Sequence, residues 1–405
     1  MERKKVNGMK IEGLADSRCC GCAACANACT TGAIRMVENG EGFLYPVINH
    51  EICVDCGVCD RICPRLDEYP VAYAAMCNST NIREKSSSGG IFHLLAEKIL
   101  SKGGVVYGAA FGEKFEVCHC RVDNVNDLEK LQGSKYVQSR IGEIFRDVKS
   151  QLATGRLVLF SGTPCQCEGL VAYLGKQYNN LYVVDFICHG VPSPAVWRSY
   201  VQYVAGLKKG TQISHVSFRS KNLSWERYLL EFTFANSSKY RNDLYTDIYL
   251  RGFLKDLYLR KSCYECTSRK MRRVSDVTVA DFWGVQNVLP DMYDGRGTSL
   301  VLVQSEKGSK LFDGLDARVV KVKFSEVMRG NLSYFSSPKM HPKRDAFFQK
   351  FQAGEALEPL LNELLKEPVV RRVKNRMRHS KILCDLKSRL RSIKIVHDIY
   401  HSIID

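Results

Sequence analysis

The most constraining feature of this sequence is a cysteine spacing that occurs twice near the N-terminus. The first run is Cys19, Cys22, Cys25 and Cys29, and the second is Cys53, Cys56, Cys59 and Cys63. Both runs have the spacing C-x2-C-x2-C-x3-C, and each cysteine of the second run lies 34 residues after its counterpart, as Cys53 does after Cys19. An internal duplication with this spacing is typical of chains that bind two 4Fe-4S clusters.

The same spacing predicts how the ligands are shared. In such duplications three closely spaced cysteines bind one cluster and the fourth crosses to the other. Cluster one would take Cys19, Cys22, Cys25 and Cys63, and cluster two would take Cys53, Cys56, Cys59 and Cys29. Zinc is the less favoured alternative because zinc sites use four ligands in two pairs. We therefore expect a bacterial ferredoxin-type domain over residues 10–68.

Composition agrees with redox chemistry. The chain has 405 residues and 18 cysteines. No run approaches the roughly 18 apolar residues of a membrane span, and the start, Met1 to Lys5, lacks the apolar stretch of a signal peptide. In a reducing cytosol many cysteines indicate metal or redox sites rather than disulfides. The expected location is therefore cytoplasmic.

After the cysteine runs, apolar strands alternate with helical patterns. The strand candidates are Val105 to Ala109, Leu157 to Phe160, Leu181 to Phe186, Val277 to Ala280 and Ser299 to Val303. Helical periodicity appears between them, and Phe218 with Tyr228 to Phe234 indicates an antiparallel excursion. The pattern predicts an α/β domain with a mixed sheet over residues 69–342.

Glycine-rich loops in this domain are candidate anion sites. Neither a complete G-x-G-x-x-G after a strand nor a Walker spacing is present. The run Ser86 to Gly90 precedes a predicted helix, Ile91 to Leu100, whose N-terminus would favour an anion. A simple helix cap is the alternative. A second polar loop, Gly133 to Tyr136, carries one cation, Lys135.

Six motifs, taken in order, resemble the beta subunit family of coenzyme F-420 hydrogenase and dehydrogenase. They are Ser87-Ser88-Gly89-Gly90, Gly133 to Ser139, Gly162-Thr163-Pro164-Cys165-Gln166, Cys188 to Ser193, Cys263-x2-Cys266, and Ala280-Asp281-Phe282-Trp283-Gly284. The resemblance implies an iron-sulfur flavoprotein that holds FAD beside a 4Fe-4S cluster. It implies FAD contacts at the two glycine loops, through Ser88, Gly89, Gly90, Gly133, Ser134 and Lys135. The family is broad, so the resemblance leaves the substrate open.

The resemblance also marks four cysteines as ligands of a third 4Fe-4S cluster. Cys165 and Cys188 each follow a predicted strand, where an α/β sheet gathers its ligands. Cys263 and Cys266 have the short gap of a ligand pair. The alternative is that the first two are small core residues and the pair binds zinc or nothing. His189 is a proton donor near the flavin or a structural histidine, and both interpretations stay open.

The C-terminal segment, residues 343–405, is predicted to be a basic helical tail. Between Arg371 and Lys394 it has ten Lys or Arg and one acidic residue, which accounts for +9 of the net charge of +16. An apolar stripe is formed by Leu383, Leu386, Leu390, Ile393, His397 and Tyr400. It predicts docking on a protein surface or contact with an anionic membrane. Nucleic acid is the least favoured partner, because the charge lies in a tail.

Together these features predict an iron-sulfur flavoprotein oxidoreductase that passes electrons between ferredoxin-type clusters and FAD and acts on an organic substrate. A redox protein, either a ferredoxin-like donor or a catalytic subunit, is the expected partner. The alternatives are an electron-transfer subunit that serves a separate catalytic partner, and a redox sensor.

Overall fold

The computed structural model describes residue 11, residues 19–63 and residues 70–366. The chain divides into two compact units, Met1–His341 and Pro342–Asp405. Among the helices of the described ranges, none has the length and hydropathy needed to cross a bilayer.

The N-terminal cysteine-rich module consists of α1 (Ala24–Asn27), β1 (Ile34–Glu38), β2 (Leu44–Ile48) and α2 (Val58–Ile62). The two strands pair antiparallel, with Ile34 opposite Ile48. Each helix begins after a residue in the left-handed region, Ala23 at φ 59° and Gly57 at φ 66°. These tight entries turn the chain sharply within each cysteine run.

The large domain begins with α/β alternation. Its first elements are β3 (Val71–Cys77), α3 (Thr80–Lys85), α4 (Ile91–Leu100), β4 (Val105–Phe111), β5 (Val117–Val122), α5 (Ile144–Ala153), β6 (Val158–Gly162), α6 (Pro164–Leu174) and β7 (Leu181–Phe186). The excursion follows as α7 (Pro194–Gly206), β8 (Ile213–Ser220), β9 (Leu229–Phe234), β10 (Lys239–Asp243) and α8 (Ile248–Leu254). The chain then returns with β11 (Val277–Asp281), α9 (Val285–Val288), β12 (Ser299–Val303), α10 (Glu306–Phe312), β13 (Ala317–Val322) and α11 (Phe324–Val327).

Eight strands form one mixed sheet in the order β13-β3-β12-β11-β7-β6-β4-β5. The four central strands β11, β7, β6 and β4 are mutually parallel, and the flanking pairs are antiparallel. The predicted mixed α/β sheet is therefore confirmed. The parallel strands end together at one edge, which is where open α/β sheets bind ligands.

Central strands are buried on both faces, which explains their nearly continuous apolar sequences. Val106 and Leu159 pack on the face covered by α4 and α10. Tyr107 and Phe160 point the opposite way, toward α5 and α6. The sheet is thus the middle layer of three, and successive residues alternate between the two cores.

The excursion forms a smaller antiparallel sheet in the order β10-β9-β8. It encloses an aromatic core whose fully buried members are Trp197, Tyr200, Phe218, Phe232 and Tyr249. This core fixes the end of β8, which carries Arg219 to the ligand edge of the large sheet.

The second unit contains two described helices, α12 (Arg344–Gln352) and α13 (Leu357–Leu364). α13 buries Leu357, Leu360, Leu361 and Leu364, an apolar face at helical spacing. The basic segment and its apolar stripe fall in residues 367–405, outside the described residues.

Candidate functional site

A cavity of about 570 Å³ opens where the parallel strands end. Its floor includes residues from the ends of β6, β7 and β11, namely Gly162, Phe186 and Asp281. A cavity of this size is in the range of sites for drug-sized ligands and cofactors. The strand topology therefore accounts for its place in the fold.

The first predicted glycine loop forms one wall of this cavity. Ser87 joins it to the second loop, because its Oγ accepts from the Ser134 backbone N–H at 2.7 Å. Ser88 and Gly90 also line the cavity, and Gly90, at φ 85°, precedes the first residue of α4. The two loops predicted from separate motifs thus form one continuous polar surface.

Gly89 has a different role from its neighbours. Gly89 is not among the residues that line the cavity. Its backbone N–H instead donates to Ser299 Oγ at 2.9 Å. A Cβ at this position would lie 2.5 Å from the Ala75 carbonyl oxygen, so any larger residue would push the loop off the sheet. Gly89 holds the loop in place, and the other five predicted cofactor residues face the cavity.

Lys135 from the second loop is a cation in a mostly apolar setting. Its Nζ donates to the backbone oxygens of Gln132 and Lys130 at 2.8 and 3.1 Å. It makes no ion pair with a carboxylate among the described residues. Burial lowers the pKa of Lys135 to about 7. An anionic group in the cavity would restore the charged form.

A buried ion pair forms another part of the wall. Arg219 Nη1 donates to Asp281 Oδ2 at 2.8 Å, and Trp225 Nε1 donates to Asp281 Oδ1 at 2.7 Å. The Arg219 guanidinium also lies over the Tyr228 ring, 4.2 Å from its centroid. The sequence motif at Ala280 to Gly284 pointed to Asp281, but nothing in the sequence marked Arg219 as its partner.

We expect Asp281→Asn to lower the free energy of unfolding by about 3 kcal/mol or more, because it leaves the buried Arg219 charge without a counter-ion. Urea unfolding of the full chain measures the loss. Asp123→Asn is the matched control, since Asp123 is partly exposed and pairs with the partly exposed Arg121 and Arg156. Because these ion pairs are partly exposed, Asp123→Asn should lower the free energy of unfolding by less than about 1 kcal/mol. Equal effects of the two substitutions would contradict the assignment of a buried charge pair.

His119 was missed by the sequence analysis and also lines the cavity. Its Nε2 lies 2.9 Å from the Ser161 backbone oxygen, and its Nδ1 lies 3.0 Å from Ser139 Oγ. Burial lowers the pKa of His119 to about 4, so the ring is neutral near pH 7. Because Nε2 faces a carbonyl it must donate, and Nδ1 accepts from the serine hydroxyl.

Two buried donors that line the cavity have no hydrogen-bond partner among the described residues. They are Arg219 Nε and the Asn331 amide nitrogen Nδ2. Asn331 is only 5% exposed and lies just after a short 3-10 turn, Met328–Gly330. Unpaired buried donors are rare in native proteins. Together with Lys135 they fit a ligand rich in acceptor atoms, as FAD is.

Of the four cysteines predicted for a third cluster, Cys188 lines the cavity. Cys165 is in the first turn of α6, where Thr163 and Gln166 form a capping box, and Cys188 follows β7. Burial and the neighbouring thiols of Cys263 and Cys165 raise the pKa of Cys188 to about 12. Burial also raises the pKa of Cys263, as do Cys165 and Cys266. Cys263 is thus within electrostatic range of each of the other three thiols.

His189 lies directly after Cys188 and lines the cavity. Its Nε2 is 2.6 Å from Asp256 Oδ1, and its ring packs edge-on against Phe253. Asp256 has a backbone φ of 59°, in the left-handed region that few non-glycine residues adopt. The carboxylate fixes the orientation of the imidazole at the cavity wall.

In the N-terminal module, the cysteines assigned to cluster one surround one small pocket. Cys19, Cys22, Cys25 and Cys63 all line it. Cys63 comes from the second run, as the crossed ligand pattern requires. Cys29 packs with Cys59 against the same small core, and the Ala33 N–H lies 3.2 Å from Cys29 Sγ. Cys29 of the first run and Cys59 of the second run thus share the same small core.

Among the described residues, no three His, Cys, Asp or Glu side chains are close enough to bind a single metal ion.

Comparison with known proteins gives two family matches. Residues 155–326 match the family model for the C terminus of the beta subunit of coenzyme F420 hydrogenase/dehydrogenase. Residues 18–65 match the 4Fe-4S dicluster domain. The resemblance identified from the sequence motifs is therefore confirmed, as is the N-terminal iron-sulfur domain. No curated protein matches the chain.

A chain from the xenon-derivatised F420-reducing NiFe hydrogenase complex of Methanosarcina barkeri is similar in structure. The identity is 17%, and the alignment covers 72% of this chain and 96% of that chain with a TM-score of 0.45.

Proposed function

We propose that this chain is an iron-sulfur flavoprotein oxidoreductase. It matches the model for the C terminus of coenzyme F420 hydrogenase/dehydrogenase beta subunits, and a 4Fe-4S dicluster domain precedes that region. Electrons would pass between the N-terminal clusters, a third cluster at Cys165, Cys188, Cys263 and Cys266, and FAD in the large cavity. The observation that carries this proposal is the cavity itself, which has the predicted FAD loops on one wall and Cys188 on its floor.

The residues of the cavity have distinct roles in this proposal. Ser88, Gly90, Gly133 and Ser134 form the polar loop surface against which the cofactor lies. Lys135 binds a phosphate or the electron-rich edge of the flavin. Arg219, held by Asp281, and Asn331 offer the unpaired donors to acceptor atoms of the ring or of a substrate. Bound there, FAD would convert one-electron transfer into two-electron or hydride chemistry.

The sheet and its loops also separate the redox groups from water. Cys188 follows the end of β7, and the exposed Leu332 lines the same cavity together with Gly330. An organic substrate would bind in this cavity beside the flavin.

An electron-transfer subunit is the second candidate function. One observation favours it, since the matched family model describes a beta subunit. In that case a partner polypeptide would donate or accept electrons at the N-terminal clusters. The two functions share the same internal electron path.

We expect a reduced one-electron donor to bleach the flavin at least about tenfold faster in the native chain than in Cys56→Ser, because the N-terminal clusters are the entry point. Stopped-flow absorbance of the anaerobically purified full chain measures the rate. Cys118→Ser, which changes a half-buried cysteine outside all three predicted ligand sets, should leave the rate unchanged. Equal rates in the native chain and Cys56→Ser would contradict the proposed path.

A further inference from the structure

Arg269 is a guanidinium held beside the third cysteine set without a carboxylate partner among the described residues. It lies three residues after Cys266 in sequence. Its Nη2 donates to the His189 backbone oxygen at 3.0 Å, which places it against the residue that follows Cys188. Its Nη1 donates to the Ser333 backbone oxygen. Two loops that flank the cysteines are therefore tied together by one cation.

The third nitrogen of Arg269 is unsatisfied. Nε is buried and has no hydrogen-bond acceptor within the part of the chain that the structure describes. Arg269 as a whole is half-buried, and arginine stays protonated in proteins, so the side chain keeps its charge in this setting. A partly desolvated charge is stabilised by a nearby counter-charge or by full hydrogen bonding.

Two neighbouring cations in the same segment, unlike Arg269, have carboxylate partners. The Arg273 side chain is 3% exposed, and its Nη1 pairs with Asp185 Oδ2 at 3.0 Å. Lys270 is largely exposed and pairs with Glu168 Oε1 at 3.0 Å. Only Arg269, of these three, has no carboxylate among the described residues. An anionic group bound beside Arg269 would supply the counter-charge.

The third cysteine set lies beside Arg269. The Arg269 Nη2 binds the backbone oxygen of His189, the residue after Cys188. The next residue, Gly190, approaches Cys263 so closely that a Cβ there would lie 3.4 Å from the Cys263 Cβ. A cubane with four thiolates is a net anion and becomes more negative when it accepts an electron.

We propose that Arg269 is the counter-ion of the third cluster and stabilises its reduced form, which raises the cluster's reduction potential. This rests on the proposed third cluster. Net charge and hydrogen bonds to sulfur are two of the main determinants of iron-sulfur potentials. Arg269 supplies the charge, and its free Nε–H supplies a donor. Arg269 is thus a positioning and tuning residue, not a cluster ligand.

The test is an EPR-monitored potentiometric titration of the full chain, with total iron measured in parallel. The third cluster is assigned as the signal lost in Cys263→Ser. At the native midpoint, Arg269→Gln should lower the reduced-to-oxidised ratio of that signal about tenfold, a shift of about 59 mV for one electron. Arg269→Lys keeps the charge and should change the ratio less than about threefold. Lys270→Gln, the paired and exposed neighbour, should leave it unchanged.

The outcomes separate this proposal from the one on which it rests. Native-like iron with an unchanged ratio in Arg269→Gln overturns the counter-ion role and leaves the third cluster intact. About eight irons in the native chain, with no signal lost in Cys263→Ser, overturns both. If Arg269→Gln loses the cluster, then Arg269→Lys distinguishes a role of the charge from a role in loop packing. Full iron with a native-like ratio supports the charge role, and loss of iron there too assigns Arg269 to loop packing alone.

Discussion

The double variant Cys263→Ser with Cys266→Ser should retain about eight irons per chain where the native protein holds about twelve, because one of three cubanes loses two adjacent ligands. The two thiols share a loop, and Cys263 lies within electrostatic range of Cys165. Iron and sulfide analysis after anaerobic purification and reconstitution measures the loss. The ferredoxin-type domain is separate in sequence and should keep both of its clusters.

Cys118→Ser is the matched control for this experiment. Cys118 is a half-buried cysteine on β5, outside the three predicted sets. It should therefore keep about twelve irons. If the native chain and the double variant both hold about eight, the third cluster does not exist and the four cysteines are only free thiols.

Lys135→Met should weaken FAD binding by about tenfold or more at pH 6, because a charge-assisted contact of about 1.5–3 kcal/mol is lost. The native affinity should also depend on pH. Burial lowers the pKa of Lys135 to about 7, so the free protein loses this cation as pH rises. Binding an anion then requires proton uptake, and affinity should fall by up to about tenfold per pH unit above 7.

Lys135→Met has no ammonium group that must be protonated for binding. Its affinity for FAD should therefore stay nearly constant between pH 6 and 8.5. Calorimetric or fluorescence titration of the flavin-free chain with FAD measures both curves. Lys130→Met is the control, because Lys130 is exposed and its side chain pairs with Asp127. It should retain the native slope. A native affinity that is independent of pH, or an unchanged affinity in Lys135→Met at pH 6, would remove Lys135 from the site.

The elements that could be predicted from the sequence are those whose signals are local. The strands beginning at Val105 and Leu181 are nearly continuous apolar runs, with Asp185 as the one charged residue of the second, and the helix Ile91–Leu100 has the predicted bounds. The cysteine spacing likewise identified the iron-sulfur domain without any tertiary information. In each case a short segment contains the whole pattern.

The features that could not be predicted depend on contacts between distant segments. Arg219 lies on β8 and reaches Asp281, 62 residues away, through the fold of the smaller sheet. His119 and Asn331 belong to no motif, and only the strand order brings them to the cavity. Gly89 was expected to contact a cofactor, but its requirement for glycine comes from close approach to β3 and Ser299.

The central claim is that the chain connects one-electron clusters to a two-electron flavin, and counting electrons tests it most directly. An anaerobic reductive titration of the full chain, followed by visible absorbance and EPR, should take up about five electrons per chain, one for each of three clusters and two for FAD. Flavin bleaching should accompany the last clusters reduced. Uptake of about two electrons, with no flavin released on denaturation, would leave only a two-cluster ferredoxin and contradict the account.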